Sequence, residues 1–185
     1  MRALVTALAV LILSACGQGQ PAPEGGALVT VMGEVSETDR GASASATEPL
    51  FAAYDISFRD ARAFTLADLQ SLPAHSVEVR FPLGGEAHEF RGPLLRDVLG
   101  AASASGSRVT ITALDGYRRT IPAARLADHD VILALSMDGE ALGIGGYGPA
   151  MIVWPRDSDT ALRGQDDSDW VWGVFAIRSH NGQGR

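Results

Sequence analysis

Cysteine is almost missing from this chain of 185 residues: there is one, Cys16. A single thiol closes no intrachain disulfide and builds no zinc–thiolate or iron–sulfur site. Lysine is missing altogether, so a Schiff-base or general-base amine is excluded and every basic side chain other than histidine is arginine. Those arginines are outnumbered, 15 basic against 22 acidic residues, for a formal net charge of −7. A surface of that sign repels nucleic acid and anionic headgroups. No apolar run reaches the roughly 20 residues of a membrane-spanning helix. His75, His88, His129 and His180 are scattered without His-x-x-x-His spacing, and no serine stands in a Gly-x-Ser-x-Gly elbow. The stretch Gly143 to Gly148 lacks the lysine and the following helix of a P-loop, and reads instead as a hairpin or pocket rim.

What is present begins with a leader. Arg2 precedes a short apolar run from Ala3 to Leu13, and Leu13-Ser14-Ala15-Cys16 ends it with small residues. That is the pattern of a secretory signal. Leu-Ser-Ala-Cys also resembles the bacterial lipobox, which implies acylation of Cys16 and a lipid-anchored protein facing the periplasm. An ordinary signal peptide with a chance cysteine is the alternative. On this reading residues 1–15 are the signal, 16–26 a Gly-, Gln- and Pro-rich tether, and 27–185 a single domain. With 46% hydrophobic residues, the domain has enough apolar side chains to rely on a core rather than on cross-links.

Along the domain, Leu28 to Val35 alternates as a first strand, Ser36 to Pro49 reads as a loop, and Tyr54 to Phe58 reads as a short strand. Thr65 caps a helix with Asp68 three residues on; Leu66, Leu69 and Leu72 form its apolar face and Pro73 stops it. Ser76 to Phe81 is a strand with Val77, Val79 and Phe81 inward, and Gly84-Gly85 turns it back through Ala87 to Phe90. Gly92 to Gly100 predicts a second helix, with Pro93 in its first turn and Gly100 past its end. Strands follow at Arg108 to Ala113 and, after the Asp115-Gly116 turn, at Tyr117 to Ile121, with one helical turn at Pro122 to Leu126. Asp130 to Met137, Met151 to Pro155 and Trp170 to Ile177 complete the set. Many short strands and two short helices predict an α+β, mostly-β roll.

The order of these segments resembles the molybdopterin-binding domain of the sulfite oxidase family in its small, single-domain form. The segments are Leu28–Val35, Phe64–Leu69, Phe90–Leu99, Leu114–Tyr117 with Ile121-Pro122, Met137–Glu140, Gly148–Pro155 and Asp169–Trp172. The resemblance implies a sulfite-oxidase-like α+β fold and a pterin ligand. It also implies a cysteine thiolate on molybdenum in the region Val79 to Phe90, where this chain offers Phe81, Gly84, Gly85 and His88 and no cysteine. A dithiolene-bound soft metal wants that thiolate. The expectation is therefore a pterin-binding protein without molybdenum, of the kind that reports to a membrane-bound enzyme making or degrading cyclic dinucleotides. A molybdenum-cofactor oxidoreductase and a ligand-free scaffold lipoprotein are the alternatives.

Candidate ligand residues follow from the chemistry of a flat heteroaromatic ring with polar edges. Trp170 and Trp172, two apart on the expected last strand, share a face and suit stacking, with Trp172 preferred; a core role is the equal alternative for each. Trp154 is read as pocket wall or, more readily, core. Tyr117, just after a turn, reaches a pocket mouth. Of the adjacent Arg118 and Arg119 at most one faces a ligand; Arg118 and Arg156 are the candidates for a bidentate grip. Within the acidic loop from Asp157 to Asp169, Asp169 is retained as the carboxylate for the pterin's amino edge.

Overall fold

The computed structural model describes residues 26–165 and 167–182. Cys16, the leader and all of the tether but Gly26 lie outside the described residues. The domain is a mixed α+β structure of three sheets with short helices.

The largest sheet is built from both ends of the chain. Strand β1 (Val29–Gly33) pairs in parallel with the last strand, β11 (Val174–His180), and antiparallel with β2 (Ala61–Phe64). β11 pairs with β5 (Arg108–Ala113), and β5 with β6 (Arg118–Pro122), giving the order β2-β1-β11-β5-β6. A second sheet has the order β3-β4-β8-β9, from β3 (Ala74–Arg80), β4 (Ala87–Pro93), β8 (Ser136–Met137) and β9 (Glu140–Ala141). β7 (Ile132–Ala134) and β10 (Met151–Val153) form a two-stranded ribbon, buried at every position.

Burial explains the composition of β1. Val29 and Val31 enter the main core with Ile111, Val153, Trp154 and Ile177. Met32 faces the opposite side, where Phe51, Ala61, Phe175 and Ala176 make a smaller core. Helix α1 (Pro49–Ala53) brings Phe51 there, and Phe51 meets Phe58 edge-on at 5.4 Å and Phe175 at 5.6 Å. The described residues cover only part of that outer face. Beyond Ala176 it is lined by threonine, arginine and histidine.

Helix α2 (Leu66–Ser71) forms where expected, with a complete capping box between Thr65 and Asp68. Leu69 is buried, but Leu66 is 45% exposed, so the expected three-leucine face is narrower. Five further expectations change. Tyr54 to Phe58 is not a strand: Asp55 adopts φ 53°, and the segment packs beneath the outer sheet face. The second helix, α3 (Leu95–Ala101), starts later and runs through Gly100, because Gly92 and Pro93 continue β4. Gly92 is needed there: a Cβ would sit 2.0 Å from the Leu133 carbonyl oxygen. The predicted strand Asp130 to Met137 divides at Leu135, whose N–H donates to the Arg91 carbonyl at 2.8 Å, so that β7 and β8 serve different sheets. The last strand starts at Val174, not Trp170; Gly173 breaks it at φ 68°. The turn at Pro122 to Leu126 grows into helix α4 (Ala123–Asp128).

Candidate functional site

The segment Asp167–Gly173 separates two cavities. On one side lies a cleft of about 290 Å³ lined by Ala113, Asp115, Tyr117, Asp167, Ser168, Trp170 and Trp172. Tyr117 is set by the turn before it: its N–H donates to Asp115 Oδ1 at 2.9 Å, and its hydroxyl donates to the Ser168 carbonyl at 2.8 Å. Trp172 is 45% exposed, a large apolar face left open to solvent. Trp170 is buried, with its ring 6.2 Å from Phe81 and 6.4 Å from Phe90. Phe81 in turn lies 5.5 Å from His88 and 5.0 Å from Tyr147. The Trp170 Nε1–H is buried and finds no acceptor among the described residues. A buried donor left unpaired costs about 1–3 kcal/mol.

On the other side lies a cavity of about 410 Å³, lined by Arg119, Arg125, His129, Arg163, Gln165 and Asp169 among others. Its fixed point is the carboxylate of Asp169, a buried residue. Asp169 pairs with Arg119, accepts from Arg125 Nη1 at 2.5 Å and accepts from Gln165 Nε2 at 3.1 Å. Its main-chain carbonyl accepts from Trp154 Nε1 at 3.0 Å. The Arg125 guanidinium also lies 4.6 Å from the Trp154 ring centre. His129 Nδ1 is 2.6 Å from Asp159 Oδ2.

Three of the sequence candidates, Trp170, Trp172 and Tyr117, thus meet at one cleft. They do so through a bend and not through strand alternation. Arg156 adjoins them: its guanidinium lies 5.8 Å from the Trp170 ring centre and donates to the Phe81 carbonyl at 2.9 Å. Trp154 is fully buried and belongs to the core. Asp169 faces the arginines of the neighbouring cavity, so its carboxylate is already engaged on that side. Arg118 is not part of this site. It points to the outer face of the large sheet, while Arg119, one residue on, reaches Asp169. The sequence reading missed Arg125, Arg163, His129, Gln165 and Tyr147 as site residues. Tyr147 carried a signal, lying inside the glycine-rich stretch expected as a pocket rim. Arg119 carried one too, in phase with the apolar Ile121.

Two histidine–carboxylate pairs flank the region. A hydrogen bond from His88, and then one from the Glu89 N–H, hold Asp138 below the usual carboxylate range. His129, and then the Ala161 N–H, do the same for Asp159. Asp68 is lowered by the Thr65 side chain and backbone. A carboxylate with a depressed folded-state pKa contributes stability that is present above its unfolded value, about 3.9, and is lost as pH falls through the folded value. Stability should therefore hold through pH 5 as far as these groups are concerned and fall below about pH 4. Thermal melts from pH 6 to 2 check this. Replacing Asp68, Asp138 and Asp159 together by Asn should flatten the acid slope, and an unchanged slope would refute the assignment.

Comparison with known proteins follows the same lines. The solved structure of the sulfane dehydrogenase SoxCD from Paracoccus pantotrophus superposes with a TM-score of 0.56 at 18% identity, over 84% of this chain and 38% of that one. The domain therefore has the architecture of part of a larger enzyme, and the likeness is one of fold. The sequence goes further: the family described as oxidoreductase molybdopterin binding domain matches residues 54–156, more than half of the chain, and the protein belongs to that family. A search of curated proteins finds no match.

The cofactor that the family name implies has two parts, and they fit differently. The pterin part finds a half-exposed indole at Trp172, in a cleft that Tyr117 and Trp170 also line. The metal part finds no thiolate in the described residues, since the chain's one cysteine is Cys16. No group of three His, Cys, Asp or Glu side chains is assembled as a metal set among the described residues.

Proposed function

We propose that this domain binds a reduced pterin in the Tyr117–Trp170–Trp172 cleft, without molybdenum and without catalysis, and reports its occupancy to a membrane-bound signalling partner. The carrying observation is the cleft itself: a half-exposed indole beside a buried one whose N–H lacks an acceptor. An indole face stacks on the pterin ring, and the Tyr117 hydroxyl oxygen, whose proton goes to the Ser168 carbonyl, accepts from its polar edge. Arg156 adds a guanidinium 5.8 Å from the Trp170 ring centre. The arginine-lined cavity across Asp169 would take a phosphate-bearing extension of the ligand.

The reading extends to the partner. The two loops that bring Phe81 and Tyr147 together also carry Leu83 and Ile144, both strongly exposed. Exposed apolar groups beside a ligand cleft suit contact with the periplasmic part of a membrane enzyme that makes or degrades cyclic dinucleotides. Acylation at Cys16 would hold the domain at the same membrane.

The test is titration of the purified chain with a tetrahydropterin, followed by calorimetry or tryptophan fluorescence. Trp172→Ala should weaken binding at least about tenfold, the equivalent of roughly 1.4 kcal/mol, with Trp172→Phe retaining more. If folded Trp172→Ala and Trp170→Ala both bind like the parent, the cleft is not the pterin site. Stoichiometric molybdenum in protein from a cofactor-competent host would favour an oxidoreductase instead.

A further inference from the structure

A cavity of about 530 Å³, larger than either of the two flanking Asp169, lies on the outer face of the large sheet. Strand register builds it. Met32 pairs with Arg178 across β1 and β11, Arg178 with Thr110 across β11 and β5, and Thr110 with Thr120 across β5 and β6. The next row runs Ala176, Thr112, Arg118. Side chains alternate along each strand, so these two rows, with His180 beyond them, share one face. That face is opposite the main core and is the part that helix α1 leaves uncovered.

The segment Asp55–Ser57 walls one side. The Arg118 guanidinium donates to the Tyr54 carbonyl, and Arg178 Nη2 donates to the Ser57 carbonyl at 2.7 Å. Each arginine is thus aimed by one backbone contact, with further N–H groups left for other partners. Neither forms an ion pair with a described carboxylate, although Asp55 also lines the cavity. Burial, and secondly the charge of Arg118, lower the Arg178 pKa, as expected for two cations facing one space. His180 Nε2 lies 2.9 Å from Thr110 Oγ1, which lies 2.8 Å from Thr120 Oγ1. His180 Nδ1 is buried and has no partner among the described residues.

We infer that this cavity is a binding site for a small ligand bearing a tetrahedral oxyanion, a phosphomonoester above all. Two guanidinium groups give charge and forked donors, and the threonine hydroxyls and His180 give shorter-range hydrogen bonds. Met32, Ile56 and Ala176 give an apolar patch for the organic part. The volume is in the range of small-molecule sites. The site is independent of the pterin cleft, and the two would respond to different ligands on one domain.

Calorimetry of the full processed chain with inorganic phosphate and with phenyl phosphate, in a low-salt buffer free of phosphate, tests it. The expected result is saturable one-site binding, tighter for phenyl phosphate and weakened by added salt. Arg118→Gln and Arg178→Gln should each weaken it at least tenfold, and Thr110→Val should weaken it less. Arg96→Gln, which removes a surface cation paired with Asp130, should leave it unchanged. Thermal melts without ligand establish that each variant is folded, and Arg118→Gln with Thr110→Val decides the case if Arg178→Gln is not. Absence of saturable binding overturns the inference, as does parental affinity in the folded arginine variants. Loss of binding in Arg163→Gln instead would place the anion in the cavity beside Asp169. Binding to phosphatidic acid vesicles but not to phenyl phosphate would also overturn it, by showing a lipid-surface contact rather than a small-ligand site.

Discussion

Trp154→Ala should destabilise the domain by about 4–5 kcal/mol, at the upper end of the 3–5 kcal/mol seen for large aromatic-to-alanine changes in cores. Trp154 is 0% exposed and packed among Ile152, Val153 and the rest of the main core. Its removal leaves a cavity that a ribbon buried at every position is poorly able to close. It also leaves the Asp169 carbonyl without the Nε1–H that reaches it at 3.0 Å, and the Arg125 guanidinium without the ring beneath it. Trp154→Phe separates the terms: it keeps most of the buried area and forfeits the hydrogen bond, for roughly 1–3 kcal/mol. Against a total stability of about 5–15 kcal/mol, the alanine variant should melt some 10–15 °C lower or fail to fold. Denaturant and thermal melts measure both. A loss below about 1 kcal/mol for Trp154→Ala would mean that the side chain lines a space already open, as a pocket wall would.

For Trp154 the sequence left pocket wall and core both open, with Val153 and Pro155 flanking it in an aliphatic run, and the residue is fully buried. Local logic gave the Thr65–Asp68 cap and the strand Arg108–Ala113, which ends at a tight Asp115-Gly116 turn. Local logic misled where a distant contact outweighs it. Pro93 and Gly100 look like the two ends of a helix, but Gly92 lets β4 pass against the Leu133 backbone and delays the helix to Leu95. Trp170 and Trp172 reach one cleft although no strand carries them, since the strand begins only after the bend at Gly173. Alternation along β6 allowed only one of Arg118 and Arg119 on each face. Ile121, buried and in phase with Arg119, fixes which one turns toward Asp169. The pairs His129–Asp159 and His88–Asp138 are 30 and 50 residues apart in sequence, and no local pattern marks them.

Asp169→Asn should cost about 2–3 kcal/mol and, on the proposed function, weaken pterin binding without meeting the ligand. Breaking a buried ion pair typically costs about 3–5 kcal/mol, because a charge is left without compensation. Here the carboxylate is 3% exposed but its partners Arg119 and Arg125 are 41% and 36% exposed, so solvent screens part of the loss. An amide keeps one acceptor oxygen and turns an NH2 toward a guanidinium, donor against donor. Removing Arg119 or Arg125 singly should cost less, about 1 kcal/mol each, since the other still pairs with Asp169. A double-mutant cycle between Asp169 and Arg125 should show coupling of about 1 kcal/mol or more, as for groups in one network. The effect on binding is one of position. Ser168, next in the chain, receives the Tyr117 hydroxyl, and Trp170 follows directly, so the ion pairs hold the segment on which the aromatic cleft is built. A structural role predicts that Asp169→Asn lowers pterin affinity and also loosens the segment, seen as faster amide exchange from Asp167 to Trp172. If the carboxylate instead meets the pterin's amino edge directly, affinity falls while exchange in the free protein stays as in the parent. Unchanged stability in Asp169→Asn, within about 0.5 kcal/mol, would refute the network as the support of the site.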